Sequence, residues 1–142
     1  MLLLLRAVLM WLVLLVAMSL NGAVRTAVLQ PWLGARFAGQ ASCLSGACAI
    51  FALTGFFTAR LGPVDSRGLF GVGLLWLLLT VAFESLVGHY VAGLTWDAVW
   101  ADYDLLQGRL WPVVLLVTLG SPWLWGLLRR GHEPANKPRR TR

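Results

Sequence analysis

The sequence predicts an all-α fold, namely a polytopic membrane protein built as a four-helix transmembrane bundle with interfacial segments on the outer side. Apolar residues make up 58% of the chain and charged residues 13%, whereas roughly a quarter of the residues in a typical soluble domain are charged. Four apolar segments approach the ~20 residues that a helix needs to cross ~30 Å of hydrocarbon. With 142 residues, the chain is expected to form one domain.

The first predicted span covers residues 6–24 and has an arginine at each end, where a long basic side chain can reach the membrane surface. It resembles a signal peptide, but no basic region precedes it and its length suits an uncleaved helix. Residues 25–41 follow, and Pro31 and Gly34 should interrupt any long helix there. Because this segment is still largely apolar, we expect it to lie at the membrane interface.

The second predicted span covers residues 42–61. Its small residues recur at alternating spacings of four and three, a pattern that lets helix backbones approach closely in lipid. The predicted helix-packing residues are Ser45, Cys48, Ala52, Gly55 and Ala59. The cysteines at positions 43 and 48 would point about 140° apart on a helix, which argues against a disulfide between them.

The third span is predicted at residues 69–88 and the fourth at residues 110–128. Five residues of the third span share one helical face by their spacing, and that face should look into the bundle. They are Gly73, Leu77, Thr80, Glu84 and Gly88. In the fourth span, Pro112 is tolerated in the first turn, whereas Pro122 should kink the far end.

The positions of the basic residues predict the orientation. With four spans, both termini lie on one side of the membrane, and that side carries nine of the twelve lysines and arginines. Since cytoplasmic segments carry the excess of basic residues, both termini are predicted to be cytoplasmic. Residues 1–130 are predicted to form the transmembrane domain and residues 131–142 a basic cytoplasmic tail. The net charge of +6 then reflects topology and contact with anionic lipids, and no nucleic-acid partner is expected.

Glu84 is the most informative single residue. A charged group inside a span costs about 2.5–3.5 kcal/mol on insertion scales and usually faces a partner or a water-filled cavity. Asn21 and Arg25 share a face of the first span, and together with Arg109 and Thr80 they form the predicted buried polar network around Glu84. Three interpretations remain open: a structural ion pair with an arginine, a site that handles a proton or a cation, and a ligand-binding site.

The connection at residues 88–108 is predicted to lie on the outer surface. Its polar side chains are His89, Tyr90, Asp97, Asp102 and Asp104. Histidine and carboxylate groups can bind divalent metals, but their spacing here matches no metal motif, so no metal site is expected. Tryptophans favour the membrane interface, and the predicted interfacial anchors are Trp32, Trp96, Trp100 and Trp111.

A short helix is predicted within this connection, with Thr95 or Asp97 as its cap. Its apolar side would consist of Trp96, Val99, Trp100 and Tyr103. Such a helix would rest on the outer leaflet and close the outer end of the bundle. It would serve as an anchor or as a docking surface for another subunit.

No pattern in the sequence supports an enzyme class. The chain lacks a phosphate-binding glycine loop, a paired CxxC, an HExxH motif and a convincing Ser–His–acid set, and no cofactor is expected. A disulfide-generating quinone reductase would also have four spans. It needs redox cysteines in outer loops, which Cys43 and Cys48 do not supply.

Several strings in the chain resemble a family of uncharacterised small bacterial membrane proteins. They are NGAVR and PWLG near the first span, and FE, GHYVAGLTW, ADYD and GRLW around the third and fourth spans. In that family an acid often follows the arginine equivalent to Arg25, whereas Thr26 stands here, so the chain departs from the family at a possible ion pair. The resemblance covers nearly the whole chain and implies a bacterial inner-membrane protein of four helices, with no assigned activity.

Two classes of function fit these observations. In the first, the protein is a non-enzymatic structural or accessory component that contacts membrane lipids, other membrane subunits or a second copy of itself. In the second, it is a small oligomeric transporter or channel that uses Glu84 in an ion, proton or ligand site. The absence of a convincing inverted repeat favours the first class, whereas a water-accessible cavity beside Glu84 would favour the second.

Overall fold

The computed structural model of the protein describes residues 1–101, 103–104 and 110–131. Within these residues the helices are α1 (Leu2–Val24), α2 (Gln30–Arg60), α3 (Ser66–Leu86), α4 (Trp96–Ala101) and α5 (Trp111–Gly131). The π-helical segments Arg25–Leu29 and Val87–Val91 extend α1 and α3. No strand occurs in the described part of the chain, and the predicted all-α fold is confirmed.

Three helical stretches are long and apolar enough to cross a membrane: Leu2–Arg60, Ser66–Val91 and Trp111–Arg129. Many of their large apolar side chains are exposed on the outside of the bundle, including Leu78 and Leu116, where lipid would solvate them. These findings support a multi-pass membrane protein. The four predicted spans map onto three continuous stretches because the first two spans both lie within the 59 residues of Leu2–Arg60.

The 59-residue stretch folds back on itself. Its helical geometry is interrupted at Gly34, with φ 74° and ψ 162°, a conformation that is essentially restricted to glycine. The side-chain amide of Asn21 donates to the carbonyl oxygen of Ser42 at 2.8 Å, although 21 residues of straight helix would span about 30 Å. The other expected breaker, Pro31, is the second residue of α2 and directly follows the irregular π-helical segment Arg25–Leu29.

Indole hydrogen bonds show that α1 and α3 run parallel. Trp76 of α3 donates to the carbonyl oxygen of Ala7 in α1 at 2.8 Å, and Trp11 of α1 donates to the hydroxyl of Thr80 in α3 at 3.1 Å. The contact positions therefore advance together, from Ala7 to Trp11 in α1 and from Trp76 to Thr80 in α3, as they do between parallel helices. The Trp76 side chain is fully buried and lies in the core.

The pair α2 and α5 is also parallel. Trp125 and Arg129 of α5 donate to the carbonyl oxygens of Phe51 and Gly55 in α2, each at 2.8 Å. Gly55 has to be small, because a Cβ added there would lie 2.6 Å from the Trp125 ring. Four helices thus meet in pairs, with α1 beside α3 and α2 beside α5.

The pair α3 and α5 crosses closely in antiparallel fashion. A Cβ added at Gly73 of α3 would overlap the carbonyl oxygen of Leu119 in α5, and one added at Gly126 would overlap the side chain of Leu69. Positions later in α5 therefore pair with positions earlier in α3. The buried core between the helices includes Leu14, Ile50, Val72, Trp76 and Val114.

The packed face of α2 differs from the predicted stripe of small residues. Gly55 is buried and the hydroxyl of Ser45 donates to Asn21 of α1, whereas Cys48, Ala52 and Ala59 are exposed. The buried residues of α2 are Ala38, Ser42, Gly46, Ile50, Thr54, Gly55, Phe57 and Thr58. Small residues recur at three- and four-residue spacings on both faces, so spacing alone could not identify the face that packs within the molecule.

Candidate functional site

A cavity of about 220 Å³ lies at one end of the bundle, where α1 and α3 end and α5 begins. Its charged lining residues are Arg25, at the end of α1, and Glu84, in the last turn of α3. Apolar walls come from Leu15, Met18 and Phe83. The cavity therefore combines two opposite charges with an apolar surround.

The side chain of Asn21 joins α1 to α2 beside this cavity. Its amide nitrogen donates to the Ser42 carbonyl oxygen at 2.8 Å and to the Ser42 hydroxyl at 2.9 Å. The Ser45 hydroxyl donates to the amide oxygen of Asn21 at 2.8 Å. Since both ends of the amide are engaged, Asn21 holds the two helices together at the level of the cavity.

The structure brings Glu84, Arg25 and Asn21 of the predicted polar network to the lining of one cavity. Glu84 is half-buried and Arg25 is exposed, so the network reaches the surface of the bundle at Arg25. Thr80, one turn before Glu84, accepts the hydrogen bond from Trp11. Arg109 lies outside the described residues, and an ion pair of Glu84 with an arginine stays a prediction.

Cys43 and Trp111 also line the cavity, and neither was predicted to lie there. Trp111, a predicted interfacial anchor, is half-buried and packs against the core. Its buried indole nitrogen has no hydrogen-bond partner within the described residues. The residues next to Cys43 in the sequence do not indicate a site. Cys43 comes to the cavity only because the chain reverses at Gly34.

At the same end of the bundle, aromatic side chains of the π-helical segment and α4 pack together. The His89 ring stacks on Trp96 with ring centroids 4.1 Å apart, and its Nδ1 donates to the carbonyl oxygen of Leu94 at 2.9 Å. The hydroxyl of Thr95 accepts from the Ala98 N–H at 3.3 Å and so caps α4. His89 is therefore held in a stacked and hydrogen-bonded position.

The other predicted surface residues lie as follows. Tyr90 and Asp97 are exposed, Asp104 is half-buried, and Asp102 lies outside the described residues. Of the predicted anchors, Trp32, Trp96 and Trp100 are exposed. Among the residues that the structure describes, no group of three His, Cys, Asp or Glu side chains is placed to hold a metal ion.

Comparison with models of protein families, with curated proteins and with solved structures finds no match for this chain. The family resemblance therefore stays a prediction. The fold and the apolar helices define the class of protein as a small, helical, multi-pass membrane protein with three candidate membrane-spanning helices.

Proposed function

We propose that the protein is a four-span bundle of the bacterial inner membrane that binds a small polar solute in the cavity beside Glu84, as the substrate site of a small transporter. One observation carries this proposal: a carboxylate within an apolar helix lines a cavity of about 220 Å³. Ionisable residues inside membrane helices usually mark substrate or ion pathways when they face a cavity.

The size of the cavity suits a small solute. Its volume of about 220 Å³ is far above the ~10–15 Å³ that one water molecule needs. It is below the ~300–1,000 Å³ of sites for drug-sized ligands. An apolar surround with a few convergent polar groups is also the usual composition of a binding site.

The reversal at Gly34 supports four passages through the membrane. Because Asn21 and Ser42 are in contact, the parts of the chain before and after Gly34 lie side by side. With four passages, the excess of basic residues places both termini in the cytoplasm. The cavity, at the far end of α1 from the N-terminus, then opens towards the outer side.

Both π-helical segments lie close to the charged residues of the cavity. Arg25 is the first residue of one segment, and the other begins at Val87, three residues after Glu84. Isolated π-helical turns inside α-helices occur frequently at functional sites. Their position here is consistent with binding at this end of the bundle.

Solute binding is tested with the full-length protein in lipid nanodiscs, using calorimetry with ethylammonium and glycine as probes. We expect saturable binding of at least one probe. A hydrogen bond to a charged group contributes roughly 1.5–3 kcal/mol, so Glu84→Gln should weaken that binding about tenfold or more. Asp97→Asn, which removes an exposed carboxylate outside the cavity, should leave it unchanged. No saturable binding, or binding that Glu84→Gln leaves intact, would contradict the proposal.

A second candidate function, that of an accessory component, is favoured by the exposed small residues of α2. Cys48, Ala52 and Ala59 are exposed in a pattern that suits close helix packing in lipid, so another membrane subunit or a second copy would contact them. For self-association, a Cys43→Ser variant oxidised in native membranes should form a dimer through Cys48. A protein that stays monomeric under oxidation and by light scattering would contradict self-association at this face.

A further inference from the structure

The charges of the cavity point to a particular class of ligand, if the proposed function holds. Glu84 and Arg25 line the same cavity and carry opposite charges. We infer that the cavity accepts a zwitterionic ammonium–phosphate group, with the ammonium against Glu84 and the phosphate against Arg25. Such a group is present in free phosphoethanolamine and in the head group of a phosphatidylethanolamine lipid.

Glu84 supplies the half of the site that selects the ammonium group. It is half-buried and lies in the last turn of α3 beside the apolar walls of Leu15 and Phe83. Charge–charge attraction is stronger in such surroundings than in bulk water. An ionised carboxylate offers about four acceptor positions, so Glu84 can accept ammonium hydrogen atoms alongside the contact that it already makes within the protein.

Arg25 supplies the half of the site that selects the anion. Its guanidinium group presents hydrogen-bond donors in a planar fork that matches the oxygen atoms of a phosphate. Arg25 is exposed at the end of α1, the level at which lipid head groups lie if α1 spans the membrane. The phosphate would therefore lie at the mouth of the cavity and the ammonium deeper inside.

Trp111 gives an independent reason to expect an acceptor oxygen on the ligand. It lines the cavity, and its buried indole N–H has no hydrogen-bond partner within the described residues. Buried donors in proteins are nearly always bonded. Asn21 is less suited to contact the ligand, because Ser42 and Ser45 already occupy both ends of its amide.

The test compares three probes on the unmodified protein in phosphatidylcholine nanodiscs: phosphoethanolamine, ethylammonium and inorganic phosphate. Two charge-assisted contacts should make phosphoethanolamine bind at least about tenfold more tightly than either half. Ethylammonium that binds as tightly as phosphoethanolamine would overturn the zwitterion assignment and leave the proposed solute site standing. Failure of these probes and of glycine to bind would overturn the proposed function itself.

Variants locate the two charges. Arg25→Gln should lower the affinity for phosphoethanolamine to that of ethylammonium and leave ethylammonium binding unchanged. Glu84→Gln should weaken ethylammonium binding about tenfold or more. Arg36→Gln, an exposed arginine outside the cavity lining, is the control and should change neither affinity. An equal effect of Arg25→Gln on phosphoethanolamine and ethylammonium would contradict the assignment of the phosphate to Arg25.

Nanodiscs of different composition identify the source of the group. If the ligand is a lipid head group, phosphatidylethanolamine in the disc should compete with added phosphoethanolamine and weaken its binding tenfold or more. Equal affinity in discs with and without phosphatidylethanolamine assigns the site to the free solute. With either source the ligand carries the ammonium–phosphate group. The zwitterion assignment itself is tested by the comparison of phosphoethanolamine, ethylammonium and inorganic phosphate.

Discussion

Gly73 sets the distance between α3 and α5. At this position a methyl group would overlap the backbone carbonyl oxygen of Leu119, and backbone cannot move aside as a flexible side chain can. The close approach of α3 and α5 at this position thus depends on the absence of one side chain. Small residues at such crossings are the usual means of close helix packing in lipid.

We therefore expect Gly73→Ala to destabilise the protein by about 1–3 kcal/mol, the usual range for an overpacked core. The matched control is Gly71→Ala in the same helix, where an added Cβ meets nothing within 4 Å. The control should change stability by less than about 1 kcal/mol. Unfolding in detergent, followed by circular dichroism, measures both variants. Equal stability of Gly73→Ala and Gly71→Ala would show that α3 and α5 do not cross at Gly73.

Some residues of the candidate site could be predicted and others could not. Glu84 was recognisable because a carboxylate inside an apolar run requires a partner or a cavity. Arg25 and Asn21 were recognisable because they share a helical face at a similar depth. Cys43 and Trp111 carry no comparable signal, since an uncharged thiol and an indole are common in membrane helices, and they reach the cavity only through long-range packing.

Gly34 decides the arrangement of the first two helical elements. Its φ of 74° and ψ of 162° are accessible essentially to glycine alone, and the contact between Asn21 and Ser42 depends on the reversal there. Pro31 was expected to share this role. It is the second residue of α2 and follows the π-helical segment Arg25–Leu29, whereas the backbone leaves the helical conformation at Gly34.

Replacing Gly34 with alanine should cost about 1–3 kcal/mol, the range for a side chain forced into a disfavoured backbone conformation. Gly39→Ala is the control, because Gly39 lies in α2, has no positive φ and has open space around its Cβ position. It should be neutral or slightly stabilising. Denaturant unfolding of the two purified variants gives the comparison. A Gly34→Ala variant as stable as Gly39→Ala would contradict a reversal that depends on this glycine.

For the helix α2, the spacing of small residues could not predict which face packs within the molecule. In water, the buried face of a helix is the apolar one. In lipid, both faces are apolar, and the exposed stripe with Cys48 and Ala52 has the same periodicity as the buried stripe with Gly46 and Thr54. Only the partners on α1 and α5, such as Met18 beside Gly46 and Ser121 beside Thr54, distinguish the two.

At the scale of the whole molecule, hydropathy predicted apolar segments that the structure folds into helices long enough to cross a membrane. It did not show that the first two predicted spans form a nearly continuous helical stretch. The helical stretch continues on both sides of Gly34. The division of this stretch into two predicted spans therefore depends on the backbone conformation of Gly34 and on the contacts between α1 and α2.

The four-span arrangement predicts the membrane topology. Single cysteines are introduced in a Cys43→Ser, Cys48→Ser background at Trp32, Val64 and Gly93, and at Leu2 and Arg142 for the two termini. Positions 32 and 93 should react with a membrane-impermeant reagent from the outer side, and position 64 and both termini from the cytoplasmic side. This follows from the reversal at Gly34 and the parallel course of α1 and α3. Termini on opposite sides would contradict it and support three passages.

If the cavity beside Glu84 accepts a small charged group, it must be open to water. Cys43 lines that cavity, whereas Cys48 lies exposed on the outer face of the same helix, where lipid would surround it. A charged thiol reagent crosses water readily and hydrocarbon poorly. The most direct measurement is therefore the rate at which a cationic methanethiosulfonate reagent modifies each cysteine in nanodiscs. We expect the Cys48→Ser protein, which retains Cys43, to react at least about tenfold faster than the Cys43→Ser protein. An unreactive Cys43 beside a reactive Cys48 would contradict this expectation.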